Sequence, residues 1–204
     1  MKPKENSNKF VIPAGLHDAI CYGVVHAGTV NSPYNNQPRM RNVLYLCYEF
    51  PAIKNVFDED KGEQPAVTTM MFTYSYSEKG NLLDWINTWS NGKINKKNIT
   101  DFDIEKLAGL GCKLQIIMDE SEGKTRSYPK GIIGLTAEEK KTLNKNSLYN
   151  PIMIYDVDNH DQEAFDALPN WLQKKVMESQ EYKKLGIKEP EKSDIPAEED
   201  EAAF

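Results

Sequence analysis

What the chain lacks narrows its choices first. No apolar run approaches the ~18–20 residues that a membrane-spanning helix needs. The opening stretch, Met1-Lys-Pro-Lys-Glu-Asn-Ser-Asn-Lys9, has no apolar core of the signal-peptide kind. A cytoplasmic chain with no membrane partner is therefore expected. Cysteine is scarce: Cys21, Cys47 and Cys112 lie far apart and are odd in number. Each falls in or beside a strand-like segment, which points to buried free thiols rather than a disulfide or a metal site. Catalytic signatures are missing too. The chain has no Gly-x4-Gly-Lys-Ser/Thr loop, no Gly-x-Ser-x-Gly and no His-Glu-x-x-His. His17 and His26 have no neighbours at metal-ligand spacing, so local hydrogen bonding or exposure is expected of each. Neither catalysis nor a cofactor is expected.

Charge is nearly balanced over most of the molecule. The net charge is −6. Residues 188–204 hold seven acids against two bases, −5, which leaves 23 bases and 24 acids on the other 187 residues, −1. A near-neutral body can still carry a local basic groove.

The stretch 15–50 organises what is present. Residues 16–30 and 42–50 are rich in β-branched, aromatic and small side chains, as strands prefer. Between them runs Asn31-Ser-Pro-Tyr-Asn-Asn-Gln-Pro-Arg-Met-Arg41, a polar loop with Tyr34 leading into Arg39 and Arg41. Residues 49–64 contain Pro51 and an Asp-Glu-Asp-Lys-Gly turn but no sustained period, and read as a loop. Residues 66–76 alternate as a third strand. Leu82, Trp85, Ile86 and Trp89 then recur at helical spacing behind an Asn81 cap, with Gly92 as a stop. Their spacing makes the two tryptophans core residues. A second short helix is expected from Thr100 and Asp103 to Ala108. Residues 113–118 and 125–135 are a fourth and fifth strand, with Pro129 and Gly131 marking an edge or bulge. Thr136 and Glu139 form a capping box for one more short helix.

Five strands with a helix between the third and fourth is the order of an OB-fold, a small five-stranded barrel. The expected molecule is thus mainly β with helical additions (α+β). A polar mobile arm (1–9) precedes the OB-fold core (10–149). A helical extension (150–186) packs on that core, and a disordered acidic tail (187–204) follows. In the extension, 150–155 suits a short strand, while 161–168 and 169–182 suit helices; Trp171, Leu172 and Val176 make the docking face.

The binding constellation is Tyr34, Arg39, Arg41 and Tyr45 from the first hairpin, with Lys124, Arg126, Tyr128 and Lys130 around the fourth-to-fifth strand connection. In an OB-fold these two loops flank the ligand groove. Cations there track phosphates and aromatic rings stack bases. Even spacing puts 124, 126, 128 and 130 on one face of an extended segment. The alternative is a metal-dependent nuclease, or other nucleic-acid enzyme, built on Asp156, Asp158, His160 and Asp161. Against it, those residues also read as a turn capping the next helix. A second alternative is a non-catalytic protein-interaction module.

The layout resembles the OB-fold single-stranded DNA-binding proteins of tailed phages. The resemblance is carried by the 15–30 strand, the 82–89 helix and Leu107-Ala-Gly-Leu-Gly-Cys-Lys-Leu114. It continues through Ala167-Leu-Pro-Asn-Trp-Leu-Gln-Lys-Lys-Val176, Ser179-Gln-Glu-Tyr182 and the acidic end closed by Phe204. It implies a sequence-tolerant factor that coats single strands during phage replication and recombination in the host cytoplasm. It also implies recruitment of polymerase, helicase or primase through Glu198, Glu199, Asp200, Glu201 and Phe204. A homodimer is a further option.

Overall fold

The computed structural model describes residues 10–32, 38–77, 80–121 and 124–187. β1 (Gly15–Asn31) is the axis of the molecule. Its first half pairs antiparallel with β4 (Gly111–Ser121), from Gly15 opposite Ile116 to Ile20 opposite Gly111. Its second half pairs antiparallel with β2 (Met40–Asp58), ending with Asn31 opposite Met40. β2 carries β3 (Gly62–Thr73), and β4 carries β5 (Lys124–Gly134). The hydrogen-bonded order is β3-β2-β1-β4-β5. β6 (Met153–Asp156), the short strand expected at 150–155, lies parallel to β1 beside Gly23 to His26. Register shifts after Cys21 and after His26 bend β1. The sheet curls until its end strands β3 and β5 touch.

Alternation along the strands builds two cores on opposite faces. Leu44, Leu46, Tyr48 and Phe50 of β2 point inward with Phe72, Cys112, Leu114 and Ile116. Helix α1 (Asn81–Trp89) closes this core, as its spacing predicts, with Leu82, Trp85, Ile86 and Trp89 buried. The indole N–H of Trp85 donates to the Tyr48 hydroxyl and that of Trp89 to the Gly111 carbonyl, each at 3.0 Å. Buried polar tips are thereby satisfied. α1 starts one residue later than the sequence suggests: Asn81 is its first residue, and Gly80 takes the cap position without a side-chain bond. All three cysteines are free and buried, and burial pushes each thiol up.

The opposite face of β1–β2 forms the second core. Val25, Ala27, Val30, Val43, Tyr45 and Cys47 meet Met153, Tyr155, Phe165, Leu168, Leu172, Val176 and Tyr182. α3 (Gln162–Asp166), α4 (Asn170–Met177) and α5 (Gln180–Lys184) supply most of that cover. Glu181 latches α5 to β1 by accepting from the Thr29 N–H at 2.6 Å and hydroxyl at 2.7 Å. Gly28, at φ +86°, makes room for it: a Cβ there would stand 2.6 Å from Glu181 Oε2. Buried Glu49 accepts from the Tyr149 and Asn150 N–H groups and the Asn150 amide, at 2.8–2.9 Å. The 150–186 segment thus completes a core begun by β1 and β2.

Two expectations are corrected. Residues 53–64 are a hairpin, not a loop. β2 bulges after Phe50, then pairs from Lys54 opposite Pro65 to Asp58 opposite Gly62, with a 3-10 turn Glu59–Lys61 at the tip. The arm buries little on either face, so its side chains need no alternation and the sequence shows no period. The helix expected at 100–108 is two 3-10 turns, Ile99–Asp101 and Ile104–Leu107, interrupted by an extended Phe102. Asp103 still caps the second by accepting from the Glu105 N–H at 3.1 Å.

Candidate nucleic-acid interface

The first hairpin places Arg39 on the surface just before β2 and Arg41 on the outward face of β2. Arg41 Nε and Nη2 donate to Thr73 Oγ1 at 3.1 and 2.8 Å, and Nη1 donates to Ser32 Oγ at 3.3 Å. Its acceptors are hydroxyls, so the guanidinium is oriented while, among the described residues, no bonded carboxylate compensates its charge. Tyr34 lies outside the described residues.

Tyr45 is a correction. It stands on the same face as Arg41 but is 1% exposed, in T-shaped contact with Trp171 at a centroid distance of 5.8 Å. Burial, then Glu178, pushes its phenol up to about 12 against the pull of Arg41. The docked helix α4 takes the face a base would need, so Tyr45 is a core residue. The cover comes from more than a hundred residues away, so nothing local announces it.

The second hairpin turns between β4 and β5. Ser121 pairs with Lys124, Asp119 with Arg126 and Ile117 with Tyr128, which sets 124, 126 and 128 on the outward face. The register then shifts: Ile116 pairs with Pro129 and Gln115 with Gly131. Lys130 is the extra residue of a bulge, so strict alternation from 128 to 130 is broken. The bulge falls between the Pro129 and Gly131 that mark it in the sequence. Arg126 and Lys130 are exposed and bear no ion pair or hydrogen bond among the described residues. Tyr128 is half-buried. For Lys124 only the strand position is described.

The two cation sets sit at opposite ends of β1, Arg39 and Arg41 where it meets β2 and Arg126 and Lys130 where it meets β4. They form two rims rather than one cluster. The acidic residues Glu198, Glu199, Asp200 and Glu201, with Phe204, lie outside the described residues.

Asp156, Asp158, His160 and Asp161 do not converge. Asp161 caps α3 by accepting from the Ala164 N–H at 2.8 Å. His160 faces the Tyr155 hydroxyl at 2.8 Å and packs on Phe165 and Tyr182. Asp156 instead meets His26 of β1, Oδ1 to Nδ1 at 2.7 Å, with Asp158 Oδ2 at 3.8 Å from the same nitrogen. His26 Nε2 faces Asn42 Oδ1 at 2.7 Å. Burial pushes the Asp156 carboxyl up, but hydrogen bonds from His26, Asn159 and the Asp158 N–H outweigh it and hold its pKa below the ordinary value. Among the described residues, His26, Asp156 and Asp158 are the one group whose ligand atoms lie close enough for a cation. The ring nitrogen concerned is already committed to Asp156. Sequence spacing misses this contact because the parallel β1–β6 pairing that creates it joins positions 130 residues apart.

No protein-family model, curated protein or solved structure matches the chain.

Proposed function

We propose that this chain is a sequence-tolerant single-stranded DNA-binding protein on an OB-fold barrel. The observation that carries the reading is the strand order β3-β2-β1-β4-β5 with α1 between β3 and β4. It is the order an OB barrel has when cut along its β3–β5 seam. In that barrel the loops after β1 and β4 flank the ligand. In this chain Tyr34 and Arg39 belong to the first connection and Arg41 to the start of β2, while Lys124, Arg126, Tyr128 and Lys130 lie on β5 just beyond the second. Cations suit phosphates of any sequence, and Arg126 and Lys130 bear no ion pair among the described residues; a half-exposed tyrosine suits a base face of any kind.

The extension modifies the reading. α4 covers the outward side of β1–β2, so a bound strand would run from Arg41 and Thr73 along β3, and past Tyr128 on β5. The phage setting and the recruitment of replication proteins by the acidic end and Phe204 belong to the same proposal. The acids would also compete with DNA for the basic rims, since clustered carboxylates mimic phosphates.

The test is titration of intrinsic fluorescence with oligo(dT) over a salt series. If most of Arg39, Arg41, Lys124, Arg126 and Lys130 meet phosphates, log affinity falls linearly with log salt at about −0.7 per contact, roughly −2 to −4 in all. Tyr128→Ala weakens binding at unchanged melting temperature, and deleting residues 189–204 strengthens it, most at low salt. A flat salt response overturns the reading. Cleavage of labelled strands on addition of Mg²⁺ or Mn²⁺ would favour the nuclease instead.

A further inference from the structure

The outward face of β4–β5 continues past Tyr128 into a shallow dimple of about 370 Å³, open to solvent. Leu16 and Ile133 form its walls, and Gly15, Gly131 and Gln115 contribute to its floor. The walls are apolar yet 51% and 48% exposed. Gln115 is exposed and makes no hydrogen bond among the described residues. Gly131 has no side chain, which lets the Gln115 side chain lie across it: a Cβ there would stand 3.2 Å from Gln115 Oε1. Gln115 and Ile117, the partner of Tyr128, are two residues apart on β4, about 6.8 Å along the strand.

We propose that this dimple holds one nucleobase of a bound single strand, next to the base that stacks on Tyr128. The proposal rests on the single-strand reading above. Leu16 and Ile133 cover the apolar faces of the ring. The Gln115 amide carries both donors and an acceptor, so it pairs with the edge of any base and does not select among them. Phosphates on either side of the Tyr128 base reach Arg126 and bulged Lys130. Carboxylates stand beside the cations of this face against the phosphates: Asp119 opposite Arg126, Asp18 opposite Lys113, and Glu139, whose Oε1 is 2.6 Å from Lys113 Nζ. They sit beside the cations and leave the dimple itself uncharged.

The test uses the full chain labelled with ¹⁵N and with methyl ¹³C. Thymidine 5′-monophosphate at millimolar concentration shifts the Gln115 side-chain amide and the Leu16 and Ile133 methyls, while deoxyribose 5-phosphate does not. Gln115→Leu and Gly131→Val each weaken oligo(dT) binding about 5- to 10-fold, the loss of one base contact. Leu16→Ala, at an exposed position that leaves the fold intact, also weakens it and keeps the measurement informative if Gly131→Val perturbs β5. If the wild type binds oligo(dT) while Gln115 does not move and Gln115→Leu and Leu16→Ala bind as the wild type does, the dimple is empty in the complex and this proposal alone falls. If the wild type does not bind oligo(dT), the single-strand reading falls and takes the dimple with it.

Discussion

Tyr45 and Tyr128 are both strand tyrosines on outward faces, and their surroundings separate them. Tyr45 lies under α4 with its ring against Trp171. Among the described residues no helix is packed over Tyr128, which stays half-exposed. Removing a buried aromatic ring costs the transfer energy of its atoms and leaves a cavity. Tyr45→Ala should therefore destabilise the fold by about 3–5 kcal/mol. Urea unfolding measures this, and the fraction that remains folded should bind oligo(dT) as the wild type does. A binding defect without loss of stability would return Tyr45 to the interface. Asp119 gives the converse case. It faces Arg126 across the β4–β5 ladder, where opposite charges attract. Both groups are exposed and form no ion pair among the described residues, so their attraction contributes little to stability. The carboxylate nevertheless lowers the positive potential that a phosphate meets at Arg126. Asp119→Asn should tighten oligo(dT) binding several-fold at low salt with no change in melting temperature, and the gain should fade as salt rises. Weaker binding by this variant would mean that Asp119 orients Arg126 instead of neutralising it.

At the scale of elements, legibility follows how local the cause is. The capping box is wholly local. Thr136 and Glu139 bond reciprocally, Glu139 Oε2 accepting from the Thr136 N–H and hydroxyl at 2.8 Å, and α2 (Glu139–Thr142) follows as expected. Lys113 adds the contact that sequence cannot show, 2.6 Å from Glu139 Oε1. Lys113 first, then Thr136, holds the Glu139 carboxyl down at about 2. A carboxyl depressed on folding stabilises the folded state above its ordinary pKa, near 4.5, and loses that contribution as pH falls towards 2. Protection factors at Thr136 and through α2, exchange rates divided into the intrinsic rate at each pH, should thus fall between about pH 4.5 and 2. Glu139→Gln should flatten that pH dependence. An unchanged profile would show that the ion pair does not hold the turn. Helix α1, β4 and β5 were equally legible, because one apolar face against one core imposes a clean period. The hairpin 53–64 was not, because its strands bury little on either face. The bulge at Lys130 was half legible: Pro129 and Gly131 locate it, but its effect on which way Lys130 faces appears only in the register. The candidate site divides in the same way. The two cationic hairpins can be read from spacing. The burial of Tyr45, the hydroxyls that orient Arg41 and the meeting of His26 with Asp156 all depend on chain segments distant in sequence.

For the whole molecule, the question is what residues 150–187 do for the rest. β6 adds to the sheet beside β1, Glu181 and Glu49 tie the extension down, and the second core exists only because α3, α4 and α5 lie over it. Without residues 150–187, Val25, Val30, Val43 and Tyr45 would face water. Each large apolar side chain returned to solvent costs about 1.5–3 kcal/mol. Those four alone amount to roughly 6–12 kcal/mol, against a typical domain stability of about 5–15 kcal/mol. The deficit consumes most of the stability a barrel of this size has. A chain ending at Asn150 should therefore lose its cooperative thermal transition, bind a hydrophobic dye and aggregate. A chain ending at Ile187 keeps every contact of the second core among the described residues and should melt as the full protein does. Differential scanning calorimetry of the two truncations, side by side, decides the point. If the shorter chain melts cooperatively near the full-length temperature, the barrel is a self-sufficient unit, and the extension is a cover that could lift from the β2 face to admit a ligand. If only the longer one does, the extension is part of the fold, and any bound strand must take the path left open along β3 and β5.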